Sequence, residues 1–263
     1  IAFFSSRSGK VQIWLSDQSR QLKQLTHFNQ GLNFSPLRWS QDDRNLLFSY
    51  EKSIYQLQVN DGTLTKVIDS QFGVYNYAYS ADNNSIIASS KRSGDWQLWR
   101  FPIDTYSEQS SSQSRSSELN EHSDAHQNHS QQSEPEQLTF TGGYGPRTSA
   151  DGQWIYFTKF HQDGLWRMPF QGGPEALISN DFSKLNWLHW QLVDGGAYYL
   201  DINHTTPGVY YLSFADDSRK LILSKHPNQS NDFSISRSSE TVIFSKTDSQ
   251  KGDIYLVKLQ QDD

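Results

Sequence analysis

Short apolar runs alternate with polar turns along most of the chain, and one motif recurs six times. In each copy an apolar strand is followed by a polar turn and then by a second strand with an aromatic residue near its middle. These aromatic residues are Trp14, Tyr55, Trp99, Trp166, Tyr210 and Tyr255. Four of the five spacings are 41, 44, 44 and 45 residues, and the spacing from Trp99 to Trp166 is 67. A period of about 40–45 residues is typical of four-stranded propeller blades, so the pattern predicts an all-β, six-bladed β-propeller.

The strands of each predicted blade are named a to d from the central axis outward. The b strands are predicted at 1–5, 46–50, 86–90, 154–159, 197–201 and 242–246, and the c strands carry the repeated aromatic residues. The a strands are predicted at 34–39, 74–79, 144–148, 188–193 and 232–236, and the d strands at 22–28, 64–69, 136–140, 175–179 and 220–224. The first blade therefore lacks its a strand and the last lacks its d strand. We expect about 15–25 residues upstream of Ile1 to close the ring, because propellers protect their sheet edges in this way.

The one long spacing contains a segment, 107–134, that is rich in Ser, Gln, Glu, His and Asn. Such a composition cannot bury a core, so it predicts a disordered insert between strands c and d of the third blade of a single domain, 1–263. His122, His126 and His129 would share one face of a helix and could bind Zn²⁺ there. The surrounding Ser and Asn residues favour a solvated loop instead, so no metal site is predicted.

Composition and charge exclude several classes of function. The net charge is −6 and no basic stripe occurs, which argues against direct contact with nucleic acid. The chain has no Cys, which excludes disulfides, thiol catalysis and Cys-based zinc sites. It also lacks an apolar run of about 18 residues and a Gly-x-Ser-x-Gly nucleophile motif. No catalytic residue, cofactor or metal is therefore predicted.

The repeats resemble those of TolB-like propellers over the whole chain except the polar insert. The residues that carry the resemblance are Ser5-Ser6-Arg7-Ser8-Gly9, Gln24-Leu25-Thr26, Ser89-Ser90-Lys91-Arg92-Ser93-Gly94, Gln97-Leu98-Trp99 and Gln137-Leu138-Thr139. The second half is similar to the C-terminal propeller of CadC-like or ToxR-like membrane-anchored transcriptional regulators. That similarity rests on Gly142-Gly143-Tyr144, 149–159, Gly164-Leu165-Trp166-Arg167-Met168-Pro169, 172–175, 207–210 and 253–257.

The resemblance to these regulators implies a non-catalytic sensory or protein-interaction domain. Such a domain would be periplasmic, joined to the inner membrane through an upstream anchor, and part of a homodimer in the parent protein. Its partner would be a protein or a small-molecule signal bound on the propeller face. Two alternatives share the repeat: the regulatory propeller of a prolyl-oligopeptidase-type serine peptidase, and a TolB-type envelope binding protein.

Candidate binding residues are the cations and aromatic residues near the b–c turns and d–a connections, which share one face of a propeller. They are Arg7, Arg92, Tyr144, Lys159, His161 and Trp187. For Arg7 and Arg92 a structural role, bonding carbonyls or a neighbouring Asp, is the stronger expectation. Tyr144, Trp187, His189 and Trp190 form a predicted aromatic cluster whose members mainly wedge between blades. The repeated Asp42, Asp82 and Asp151 are interpreted as turn formers and not as catalytic carboxylates, because each would do the same local job.

Overall fold

The fold is a ring of six antiparallel β-sheets, a six-bladed β-propeller. The computed structural model describes residues 1–69, 73–103, 134–183, 188–236, 238–248 and 251–259. Within these residues 22 strands form six sheets, of which the first and last have three strands and the others have four. This part of the chain contains no helix, and so none that could cross a lipid bilayer. The predicted fold class is confirmed.

Each sheet is built from consecutive strands, so the sheets are numbered as blades 1 to 6 in chain order. Blade 1 contains β1 (Ala2–Ser5), β2 (Gln12–Ser16) and β3 (Leu22–Gln24). Blade 2 contains β4 (Arg38–Trp39), β5 (Asn45–Tyr50), β6 (Ser53–Gln58) and β7 (Leu64–Ile68). Blade 3 contains β8 (Val74–Tyr79), β9 (Ser85–Ser93), β10 (Asp95–Pro102) and β11 (Glu136–Gln137). Blade 4 contains β12 (Tyr144–Thr148), β13 (Trp154–Lys159), β14 (Gln162–Pro169) and β15 (Ala176–Ser179). Blade 5 contains β16 (Trp190–Val193), β17 (Gly196–Asp201), β18 (Gly208–Ser213) and β19 (Arg219–Ser224). Blade 6 contains β20 (Gln229–Ile235), β21 (Thr241–Asp248) and β22 (Lys251–Lys258).

The core lies between neighbouring blades. Consecutive residues of one b strand point to opposite neighbours: Leu46 packs in a cluster with Ile13 of blade 1, whereas Leu47 packs with Tyr77 of blade 3. In blades 3, 4 and 5 as well, two consecutive residues of the b strand pack in two different inter-blade clusters, one on each side of the sheet. Burying one such side chain contributes about 1.5–3 kcal/mol, so stability depends on five inter-blade clusters.

Three of the predicted strands are much shorter than expected: 22–28 is a strand only at Leu22–Gln24, and the other two have a local reason. The segment 34–39 pairs only at Arg38–Trp39, since Pro36 has no N–H to donate to a ladder. The segment 136–140 pairs as a strand only at Glu136–Gln137, because Thr139 uses its hydroxyl and not its backbone: Oγ1 accepts a bond of 2.8 Å from Leu98 N. Apart from Glu134, the predicted polar insert lies outside the described residues, as do its three histidines.

The a–b turns confirm the turn interpretation of the repeated aspartates. Ser40 and Ser149 donate to Asp42 and Asp151 at 2.5 Å, and Ser80 donates to Asp82. These serine bonds lower the pKa of each Asp below its ordinary value of 3.8. Each carboxylate is thus hydrogen-bonded within its own hairpin. The a–b turns lie at the end of the propeller opposite to the b–c turns, where the candidate binding residues are.

Candidate functional site

Most of the repeated aromatic residues have a cation over the ring. Arg7 lies 5.1 Å from the Trp14 centroid, and Arg92 lies 5.7 Å from that of Trp99. Lys159 lies 4.1 Å from the ring of Trp166. Such contacts stabilise by about 0.5–1 kcal/mol at exposed sites. Arg7 and Arg92 thus contact aromatic faces of their own blades, and the expected bonds to carbonyls or a neighbouring Asp stay a prediction.

A continuous row of aromatic rings crosses blades 3 and 4 at the end formed by the b–c turns and d–a connections. We call it the aromatic ladder: Tyr75, Trp96, Tyr144, Phe160 and His161. Successive ring centroids are 5.4, 5.2, 5.6 and 4.9 Å apart, and neighbouring rings meet edge to face. The ladder is a row of packed rings, partly exposed, that reaches from the inner strands outward.

Accessibility varies along the ladder. Tyr75 is 53 % exposed, His161 is exposed, Trp96 and Phe160 are half-buried, and Tyr144 is buried at the centre. Burial raises the pKa of Tyr144 to about 12, so its hydroxyl remains a neutral donor. Lys91 places its ammonium 5.1 Å from the Trp96 ring and adds a positive charge beside the ladder.

β-Bulges set the direction of the ladder side chains. The strand registers shift between Tyr75 and Tyr77, between Asp95 and Gln97, between Tyr144 and Arg147, and between Phe157 and Lys159. A bulge adds an unpaired residue and redirects the neighbouring side chain, and bulges are frequent beside functional sites. The sheets are therefore irregular at the positions where the aromatic residues emerge.

Gly142 and Gly143 bring the two halves of the ladder together. Gly143 donates to the Trp96 carbonyl at 3.0 Å, and a Cβ at this position would lie 2.6 Å from Leu98 Cγ. Only glycine allows this approach of backbone to the neighbouring strand. The Gly-Gly pair thus places Tyr144 directly against Trp96.

Below the ladder, Lys159 forms a buried ion pair. Its ammonium donates to Glu175 Oε2 at 2.6 Å and to Thr141 Oγ1 at 2.8 Å. The side chains of Lys159 and Glu175 are 7 % and 17 % exposed. Thr141 comes from the connection between blades 3 and 4, so the pair joins the two blades that carry the ladder.

The structure brings together three of the six candidate binding residues. Tyr144, Lys159 and His161 lie in or beside the ladder, whereas Arg7 lies on blade 1. Arg92 belongs to the same strand as Lys91, and Trp187 lies outside the described residues.

Sequence reasoning did not identify Tyr75, Trp96 or Phe160 as site residues. Their signal was the presence of aromatic residues at the strand ends of blades 3 and 4, which blades 1 and 2 share at Phe28 and Tyr50. Of the predicted aromatic cluster, Tyr144 and Trp190 are buried between blades, and His189 contacts Asp232 at 3.4 Å.

Two shallow open depressions lie at the same end of the propeller, away from the ladder. One, of about 420 Å³, is lined by Lys10, Gln12 and His27 of blade 1, and the other, of about 370 Å³, by Ile202, Lys225 and neighbouring residues of blades 5 and 6. Within the described ranges, no group of three or more potential metal ligands occurs. The ladder is thus the more distinctive surface of this end.

No protein-family profile and no curated protein matches the sequence. Solved structures do match the fold. The putative TolB from Agrobacterium tumefaciens superposes with a TM-score of 0.67 at 14 % identity, over 93 % of this chain and 83 % of that one. An oligogalacturonate lyase from Vibrio parahaemolyticus gives 0.58 at 13 %, over 98 % and 71 %.

A puromycin-hydrolyzing peptidase from Mycobacterium tuberculosis is also similar, with a TM-score of 0.60 at 8 % identity. This chain covers 47 % of that peptidase, and 95 % of this chain is matched. Identities this low show the fold alone: a TolB-like six-bladed propeller. Since the similar proteins include two enzymes, the fold by itself does not decide whether this chain catalyses a reaction.

Proposed function

We propose that this propeller is a non-catalytic domain that binds a protein partner through the aromatic ladder. The single observation that carries the proposal is the row of edge-to-face rings, partly exposed and aimed by four β-bulges. Tyr and Trp in rigid, well-packed settings are the residue types that dominate binding energy at protein interfaces. A Lys91 ammonium beside the rings adds a charge that can select the orientation of a partner.

The arrangement of acidic groups agrees with a binding role. The repeated aspartates lie at the opposite end and bond within their own turns, and the buried Glu175 is paired with Lys159. General acid–base catalysis needs two groups that converge on one substrate position. Beside the ladder, Asp95 and Asp163 lie at the b–c turns of two different blades.

The finer proposal is that the propeller is the periplasmic sensory domain of a membrane-anchored transcriptional regulator, as the resemblance of the second half to CadC-like propellers suggests. Partner binding would then bias the arrangement of an anchored dimer by population shift, and the propeller itself would not contact DNA. The negative net charge of −6 supports that division of roles.

A TolB-type envelope binding module is the second candidate, because the TolB structure matches over most of both chains. Reading the coding sequence upstream of Ile1 distinguishes the two. A winged helix-turn-helix followed by a hydrophobic segment supports the regulator, whereas a signal peptide without a DNA-binding motif contradicts it.

A second test uses the chromosomal gene. Trp96→Ala in the native host should change the same small set of transcripts as a deletion, and Phe34→Ala should not. Phe34 is the matched control, since it is 77 % exposed at the same end of the propeller but lies on the side of blade 1. Unchanged transcripts in both the deletion and Trp96→Ala would contradict a regulatory role.

A further inference from the structure

Two arginines occupy the same position in the inner strands of blades 2 and 4. Arg38 pairs with Leu47 in the adjacent strand, and Arg147 pairs with Tyr156. Each stands two residues before the serine that begins the a–b turn. Inner strands of neighbouring blades contact one another around the axis, as β12 does with β8 and β16. The two arginines therefore lie at one level of the axial channel.

The blade between them contributes the smallest side chain at this level. Its equivalent residue is Ala78, which pairs with Ile87. In blades 5 and 6 the equivalent residues are Gln191 and Ser234, whose side chains are 3.4 Å apart. At this level the short side chain of Ala78 therefore stands between the two arginines, and polar residues lie further round the ring.

The charge of Arg147 is not compensated by a carboxylate within the described ranges. Arg147 is 8 % exposed and donates to the carbonyls of Pro146 at 2.8 Å and Trp190 at 3.0 Å. Burial lowers its pKa well below the ordinary value, and the charge of Arg38 lowers it further. Its guanidinium also lies 4.9 Å from the Trp190 ring centroid, so these described partners are all neutral. A buried cation without a carboxylate partner is costly, and an anion would offset that cost.

Arg38 has donors to spare. A guanidinium carries five N–H groups. In the part of the chain that the structure describes, one of them makes a long contact of 3.4 Å with the Leu37 carbonyl, and Nε is buried without a partner. The side chain is half-buried, so it remains within reach of the channel.

The nearby acidic group is Asp232 of blade 6. It is within electrostatic range of Arg38, but its hydrogen bond with His189 is the main reason that its pKa is lowered. Its side chain is 91 % exposed. Among the described inner-strand residues, one carboxylate thus stands against two guanidinium groups.

We propose that Arg38 and Arg147 form a binding site for a small oxyanion, a carboxylate or a phosphate group, in the axial channel. The planar fork of arginine matches both kinds of oxyanion and binds them with paired hydrogen bonds. The site lies roughly 10 Å along β12 from the ladder residue Tyr144, at about 3.3 Å per residue, so it is distinct from the protein-binding surface.

The test is calorimetric titration of the whole protein with sodium phosphate and, separately, sodium acetate, at ionic strength fixed with sodium chloride. We expect saturable binding of at least one anion. Arg38→Met should weaken it at least tenfold, Arg38→Lys should weaken it less, and Asp232→Asn should strengthen it. Arg44→Gln is the matched control, because Arg44 is a surface arginine with a 75 % exposed side chain and should bind as wild type.

The anion that binds more tightly identifies the ligand class, and either result supports the proposal. Flat titrations with both anions would overturn it. Equal affinity in Arg38→Met and wild type would also overturn it, as would an Asp232→Asn variant that no longer binds although its thermal unfolding matches that of wild type.

Discussion

The buried pair of Lys159 and Glu175 should be strongly coupled, and its removal should loosen the two blades that carry the ladder. Glu175→Leu leaves an ammonium that is 7 % exposed without its carboxylate, beside only the neutral Thr141 hydroxyl and the Trp166 ring among its described partners. Removing one partner of a buried pair costs about 3–5 kcal/mol. Since Glu175 is 17 % exposed, we expect the low end, about 3 kcal/mol.

A double-mutant cycle separates the pair from its surroundings. Lys159→Met should cost about 2 kcal/mol, because Glu175 keeps some water and its bond of 2.8 Å from Thr141. The double variant, Lys159→Met with Glu175→Leu, should lie within about 1 kcal/mol of wild type, because apolar replacements of a buried pair are often neutral. The coupling energy is then at least about 4 kcal/mol.

The assay is urea unfolding followed by tryptophan fluorescence, with thermal unfolding as a second measure. For a chain of this size 1 kcal/mol shifts Tm by about 2–4 °C, so Glu175→Leu should lower it by about 6–12 °C. The control is the exposed pair Lys66–Asp69, where Asp69→Ala should cost under about 0.5 kcal/mol. Additive single-variant effects, or a Glu175→Leu cost as small as the control, would refute the reasoning.

Three further predictions concern the repeated features. Gly143→Ala should cost about 1–3 kcal/mol in urea unfolding, since its Cβ would meet Leu98, and a cost near zero would refute the close approach. Thr139→Val should cost about 1–3 kcal/mol, because it removes the acceptor of Leu98 N and the donor to Gln97; an unchanged unfolding midpoint would argue against this bond. Acid should destabilise the fold through the aspartates of the a–b turns. Their folded pKa values lie below 3.8, so their contribution to stability is present above pH 3.8 and is lost as pH falls below it. Asp151→Asn should make the fall of the unfolding free energy with acid less steep, and an equally steep fall would contradict the assignment.

Local chemistry explains why much of the fold could be predicted. The b strand 154–159 is found as predicted, because a short, mainly apolar and aromatic run and the Ser-x-Asp-Gly turn before it are both encoded within a few residues. The fifth blade lacks that turn sequence and forms a tight hairpin at Asp194-Gly195. Features with a short sequence signature were therefore predictable.

The ladder depends on register, which a simple alternation does not reveal. Tyr75 and Tyr77 are two residues apart and should share a face of a regular strand. The bulge at Asn76, whose φ is 46°, separates them, so Tyr75 is 53 % exposed and Tyr77 is 1 % exposed. Likewise, Arg38 and Arg147 are seen to occupy the same strand position only when the register of each with its neighbouring strand is known.

In the proposed function the ladder is the partner-binding surface. The decisive measurement is in-cell photo-crosslinking of the full-length protein, with a photoreactive phenylalanine at Tyr75 or, as control, at Phe34. We predict a discrete crosslinked protein at Tyr75 that is lost when Trp96→Ala is added, and none at Phe34. No product at Tyr75, or the same products at both positions, would contradict the claim.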